Sequence, residues 1–117
     1  MKPPALTVTP AEWEIVRSLL SRHVPDREVW AFGSRAKATA KPFSDLDLVI
    51  LGSQPLPIAT VAELADDFSE SDLPFKVDIV DWATTGESFR KVIEAERIVL
   101  QPLPGNAEVL QPKIPSA

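Results

Sequence analysis

The chain has 117 residues, 44% hydrophobic and 25% charged, an ordinary globular mix with one domain's worth of length for a real core. Its net charge of −5, from 17 acidic and 12 basic residues, argues against a surface built to grip nucleic acid through phosphates. The absence of cysteine excludes disulfides, thiolate metal sites and cysteine nucleophiles. The longest apolar run, Leu48-Val49-Ile50-Leu51, is far too short for a membrane span, and Met1-Lys2-Pro3-Pro4 has no apolar segment behind its charge, so a cytoplasmic protein is expected.

In chain order, Thr7 to Val24 reads as a helix. Thr9-Pro10-Ala11-Glu12 is a capping box with proline at the first helical position, and Trp13, Val16, Leu20 and Val24 recur at helical spacing before Pro25 stops the run. Glu28 to Phe32 is a short β-branched and aromatic run, hence a strand. Gly33 to Ser44 is small and polar, a loop. Asp45 to Leu51 is the clearest strand, closed by Gly52-Ser53. Ile58 to Phe68 reads as a helix with Val61, Leu64, Ala65 and Phe68 on one face, and Lys76 to Trp82 as a third strand. Thr84-Thr85-Gly86-Glu87 offers a second capping box to a helix reaching about Glu96, and Ile98 to Leu100 a short last strand.

This order predicts an α+β (α/β) fold, a small mixed sheet with helices packed on it. The domain is expected to span residues 1–101. Residues 102–117 lose periodicity and hold four prolines, which reads as a flexible tail or partner-binding arm.

The chemistry concentrates in Gly33-Ser34, then ten residues, then Asp45-Leu46-Asp47. Strand side chains two apart point the same way, so Asp45 and Asp47 project together, opposite Leu46, Leu48 and Ile50. Two adjacent carboxylates repel, and a fold tolerates that when a cation sits between them. Magnesium suits such a pair because it takes carboxylate oxygens together with substrate phosphates. Asp78 is one acid inside the apolar run Val77-Asp78-Ile79-Val80, costly unless liganded or hydrogen-bonded. Asp45, Asp47 and Asp78 could together hold two magnesium ions roughly 3.5–4 Å apart for in-line displacement at phosphorus, with Asp78 also placed to act as base. Gly33 permits a tight turn that brings backbone N–H groups to phosphate oxygens, Ser34 adds a hydroxyl, and Arg35 is suited to bidentate pairing with phosphate. Lys37 and Lys41 are weaker candidates in the same loop. No Gly-x-x-x-x-Gly-Lys-Ser/Thr run is present, so an ordinary P-loop is not supported.

Gly33-Ser34-Arg35-Ala36, Ser44-Asp45-Leu46-Asp47-Leu48, Val77-Asp78-Ile79-Val80-Asp81 and Phe89-Arg90-Lys91-Val92-Ile93-Glu94 resemble the nucleotidyltransferase superfamily of DNA polymerase β, and within it the minimal MNT proteins. The resemblance implies a polymerase β palm-like fold and magnesium-dependent transfer of AMP from ATP to a tyrosine of a HEPN-domain toxin, for which the MNT protein is the antitoxin. Asp45, Asp47 and Asp78 would be catalytic metal ligands, and Gly33, Ser34 and Arg35 would bind the nucleotide. Assembly is open between a homodimer and a hetero-oligomer with the toxin, with neither membrane nor nucleic acid as partner. The chain departs from many such proteins at Ala38 and Arg97, where glycine is common.

Two other functions fit the same residues. A binding module could keep the fold and neutralise a partner by contact alone, as the acidic surface suggests. A transferase could instead act on a small hydroxylated molecule, needing a dimer or a further domain to hold it. Outside the site, Asp81 reads as capping the turn into Trp82 and His23 as capping its helix. Trp13, Trp30, Phe32 and Phe89 read as core, with Trp82 also packing. Asp66, Asp67, Glu70 and Asp72 read as a solvated face.

Overall fold

The capping box forms as its sequence demands. The Thr9 hydroxyl accepts the Glu12 N–H at 3.1 Å, the Glu12 carboxylate accepts the Thr9 N–H at 2.9 Å, and helix α1 runs Pro10–His23. In this computed structural model, which describes residues 5–103, the elements that follow are β1 (Val29–Phe32), β2 (Leu46–Ile50), α2 (Ile58–Ser69), β3 (Val77–Asp81), a 3₁₀ turn (Trp82–Thr84), α3 (Glu87–Glu96) and β4 (Ile98–Gln101). The expected order is thus the observed one. The proposed tail beyond residue 103 lies outside the described residues.

The sheet order is β3-β2-β1-β4. β1 pairs antiparallel with β2 and with β4, whereas β2 and β3 run parallel. A parallel pair needs a crossover, and α2 supplies it. Alternation along β2 sends Leu46, Leu48 and Ile50 to one face, where they join Val29, Ala31 and Leu100 from the sheet, Trp13, Val16 and Leu20 from α1, and Leu64 and Phe68 from α2. The opposite face carries a thinner apolar layer of Trp30, Phe32, Val49 and Ile93, the last delivered by α3. Asp47 of β2 shares this second face, which α3 covers only in part.

Three expectations need correction. Thr84 and Thr85 do not cap α3; both hydroxyls donate to the Asp81 carbonyl, and Gly86 stands at the N-cap without a side-chain bond. Phe89 is half-exposed rather than core, although its ring meets Phe32 edge to face at 5.6 Å. His23 does more than end a helix, since its Nε2 lies 2.7 Å from Asp67 Oδ2 and ties α1 to α2. Asp81 behaves as read, accepting the Ala83 N–H at 3.1 Å and, with its other oxygen, the Leu56 N–H at 2.8 Å. No described helix is long and apolar enough to cross a membrane.

Candidate active site

Pairing register brings the site together. Asp47 stands opposite Asp78 across the parallel β2–β3 pair and opposite Phe32, the last residue of β1, across the antiparallel pair. Gly33 follows at once with φ +77°, and a Cβ on it would collide with the Asp47 Oδ2. Glycine is therefore required twice, for the left-handed turn and for the space its missing side chain leaves to a carboxylate. Asp45 lies two residues before Asp47, just ahead of β2, and its charge is felt at Asp47.

Burial, the charges of Asp78, Asp45 and Glu96, and a hydrogen bond with Asp78 push the Asp47 carboxyl up to about 6. The crowding of like charge around a partly buried acid is the tension that a bound cation would relieve. Among the described residues no three acidic or histidine side chains are already drawn into a closed metal shell. The donor set still fits a hard divalent cation: hard oxygen donors on one face of the sheet, with mutual repulsion as the main tension to be relieved.

Arg35 is not where the sequence reading placed it. It is 4% exposed, donating from Nε to the Ser44 carbonyl at 2.9 Å, from Nη1 to Thr7 at 2.8 Å and from Nη2 to Pro42 at 3.0 Å, while its guanidinium lies 3.8 Å from the Phe75 ring centroid. It clamps the 33–44 loop onto the segment before α1, so its fork is consumed by backbone carbonyls. The Gly33 N–H is also committed, donating at 3.0 Å to Glu96 Oε1. Lys37 and Lys41 are the exposed cations of the loop, and Lys37 sets its Nζ 3.3 Å from Glu96 Oε2.

Glu96 is the residue the sequence reading missed. Ala31 pairs with Ile98, so two residues further along β1 Gly33 faces Glu96, whose side chain stands in for the ladder carbonyl that β4 no longer supplies. The signal was an acid on the last residue of a helix, the end where the dipole disfavours negative charge. Arg97, the position where glycine is common, has φ −63° and stacks 4.7 Å from the Trp30 ring centroid, so the turn there makes no demand for glycine.

Comparison with known proteins matches residues 14–102 to the family described as polymerase beta nucleotidyltransferase. A Haemophilus influenzae protein named "Probable protein adenylyltransferase MntA" is 49% identical over 96 residues, covering 82% of this chain and 84% of that one. Among solved structures, a toxin-antitoxin with AMP-PNP superposes with TM-score 0.67 at 23% identity, over 83% of this chain and 78% of the other. The MNT antitoxin complex of a tri-AMPylated Shewanella oneidensis HEPN toxin gives 0.62 at 21%, over 85% and 76%. A minimal nucleotidyltransferase gives 0.55 at 32%, over 75% and 88%.

Proposed function

The chain belongs to the polymerase β nucleotidyltransferase family, and from that premise we propose that it transfers AMP from ATP to a tyrosine hydroxyl of a cognate HEPN-domain toxin and thereby acts as its antitoxin. The observation that carries the reading is the register match of Asp47 with Asp78 beside a glycine that makes room for the Asp47 carboxylate.

Asp45, Asp47 and Asp78 would hold magnesium, which when bound neutralises the triphosphate and the charge developing around phosphorus. Ser34 and Lys37 of the turn would take the phosphates, and Arg35 would support them by fixing the loop. The acceptor oxygen attacks the α-phosphorus, a new P–O bond forms, and the bond to pyrophosphate breaks on the opposite side. Asp78, exposed near the start of β3, would take the acceptor's proton as the oxygen approaches from solvent. An open carboxylate pair suits an acceptor as large as a protein, which brings its own walls to the site.

The test is intact-mass analysis of the toxin after incubation with this chain, Mg²⁺ and each of the four nucleoside triphosphates. Gain of one or more AMP units, lost with Asp47→Asn, is the expected result. Tight complex formation without any mass gain would instead support neutralisation by contact alone. Protection of cells by Asp45→Asn/Asp47→Asn separates the two.

A further inference from the structure

Both carboxylate oxygens of Glu96 are engaged, one by the Gly33 N–H at 3.0 Å and the other by the Lys37 ammonium at 3.3 Å. The two contacts differ in kind. The first continues the β1–β4 ladder and fixes the start of the turn from a position 63 residues away. The second joins a half-exposed lysine to a carboxylate whose side chain is 20% exposed, an ion pair in contact with water and therefore exchangeable. Lys37 is also the exposed cation of the loop that lies beside Glu96 and Gly33, since Arg35 is buried and spent on carbonyls and exposed Lys41 stands further along the loop. Glu96 thus occupies, in the free protein, the group that an incoming nucleotide needs.

We infer that Glu96 is an internal stand-in for the triphosphate: it holds Lys37 until the nucleotide displaces it, and it sets how tightly the site binds nucleotide without being a metal ligand. This rests on the reading of the turn as the triphosphate site. The exchange is a partner swap at the lysine, with no covalent step. Its direction follows from charge. A fixed negative charge beside the phosphates opposes an anionic ligand, and at a few ångströms in a surface dielectric this corresponds to about a three- to tenfold loss of affinity. The Gly33 contact is retained throughout, so the turn keeps its shape while the lysine moves.

The experiment is calorimetric titration of the full chain with α,β-methylene-ATP, in EDTA and in Mg²⁺, for wild type, Glu96→Gln and Glu94→Gln. Glutamine keeps a carbonyl oxygen for the Gly33 N–H and removes the charge on Lys37, and thermal melts check that each variant is folded. Glu96→Gln is expected to tighten binding about three- to tenfold in EDTA and less in Mg²⁺. Glu94→Gln removes a charge from the exposed side of the same helix without touching Lys37 and should leave the Kd within about twofold. Equal tightening by both variants would reduce the effect to net charge and overturn the exchange. Weaker binding of Glu96→Gln in Mg²⁺ would make Glu96 a metal ligand, and unchanged binding would make its ion pair irrelevant to nucleotide; either result overturns the inference while leaving the transferase reading in place. Folded wild-type protein that binds no nucleotide even with Mg²⁺ would overturn the site assignment itself, and this inference with it.

Discussion

At Asp47 the carboxyl stands at about 6 instead of the usual 3.8, chiefly through burial and then through the charges of Asp78, Asp45 and Glu96. The folded protein therefore holds this proton more tightly than the unfolded chain does. The stability tied to it is fully present below about pH 3.8 and is lost as pH rises through about 6. In metal-free thermal melts, wild type minus Asp47→Asn should show a Tm difference that turns against wild type across that window, with the asparagine protein the more stable at pH 7.5. Magnesium added at pH 7.5 should raise the Tm of wild type and leave the variant nearly unmoved. A variant less stable than wild type at pH 7.5 without metal would show that the carboxylate's charge is not the cost. Arg35 makes the complementary case, a charge that supports rather than strains the fold. Arg35→Lys cannot reproduce bonds to the Thr7, Pro42 and Ser44 carbonyls and should cost about 2–4 kcal/mol, with little change in the KM for ATP at temperatures where the protein is folded. A large rise in KM with an unchanged Tm would return Arg35 to the phosphates. The difference between these two residues also explains what could be read in advance. Alternation along a strand told which way Asp45 and Asp47 point, whereas the acceptors of Arg35 are all main-chain oxygens, those of Ser44 and Pro42 in its own loop and that of Thr7 28 residues away, to which no side-chain pattern refers.

Among the elements, the 33–44 loop shows how local chemistry and tertiary placement divide. Ala38 sits at φ 62°, the conformation glycine adopts without cost, at a position where glycine is common in the resembling proteins. A non-glycine residue in that region loses about 1–2 kcal/mol, partly offset because glycine carries about 0.4–1 kcal/mol more entropy in the unfolded chain. Ala38→Gly should therefore stabilise the protein by up to about 1 kcal/mol, read as a small rise in Tm or denaturant midpoint. A clear loss would mean that the exposed Ala38 methyl makes a contact worth more than the strain. The helices and strands themselves were legible because each carries its own period and punctuation: the Thr9 box, Pro25, Gly52 and Pro74 lie at or near real boundaries. The second box was not, because Thr84 and Thr85 find a closer acceptor in the Asp81 carbonyl when β3 ends in a 3₁₀ turn. A sequence shows which bonds a threonine can make, and only the path of the chain decides between them. Glu96 escaped notice for the same reason: its partner Gly33 becomes a neighbour only when β4 pairs with β1.

At the scale of the whole molecule the two faces of the sheet are unequal, and the site lies on the weaker one. α1 and α2 bury the thick layer of Leu46, Leu48, Ile50 and their partners, while α3, through the fully buried Ile93, and Trp82 of the 3₁₀ turn close over Trp30, Phe32 and Val49. Phe89 and Val92 of the same helix remain half in water, so Ile93 is its one fully buried apolar anchor, beside the Phe89–Phe32 ring contact and the bonds of Arg90 to the Trp82 carbonyl. The turn after Gly33 depends on that helix, because its last residue supplies the acceptor for the Gly33 N–H. Ile93→Ala should cost about 2–4 kcal/mol, and the cost should fall unevenly. Amide exchange is expected to speed first across residues 87–101 and at Gly33, with the amides of α1 and β2 keeping near wild-type protection in mild conditions. Transfer activity should fall along with the Gly33 protection, although no substituted atom lies among the proposed metal ligands. If exchange instead quickened evenly over the whole chain, the two faces would form one cooperative unit. The thin layer would then be as firm as the thick one, and the dependence of the turn on α3 would have to be sought in chemistry rather than in local opening.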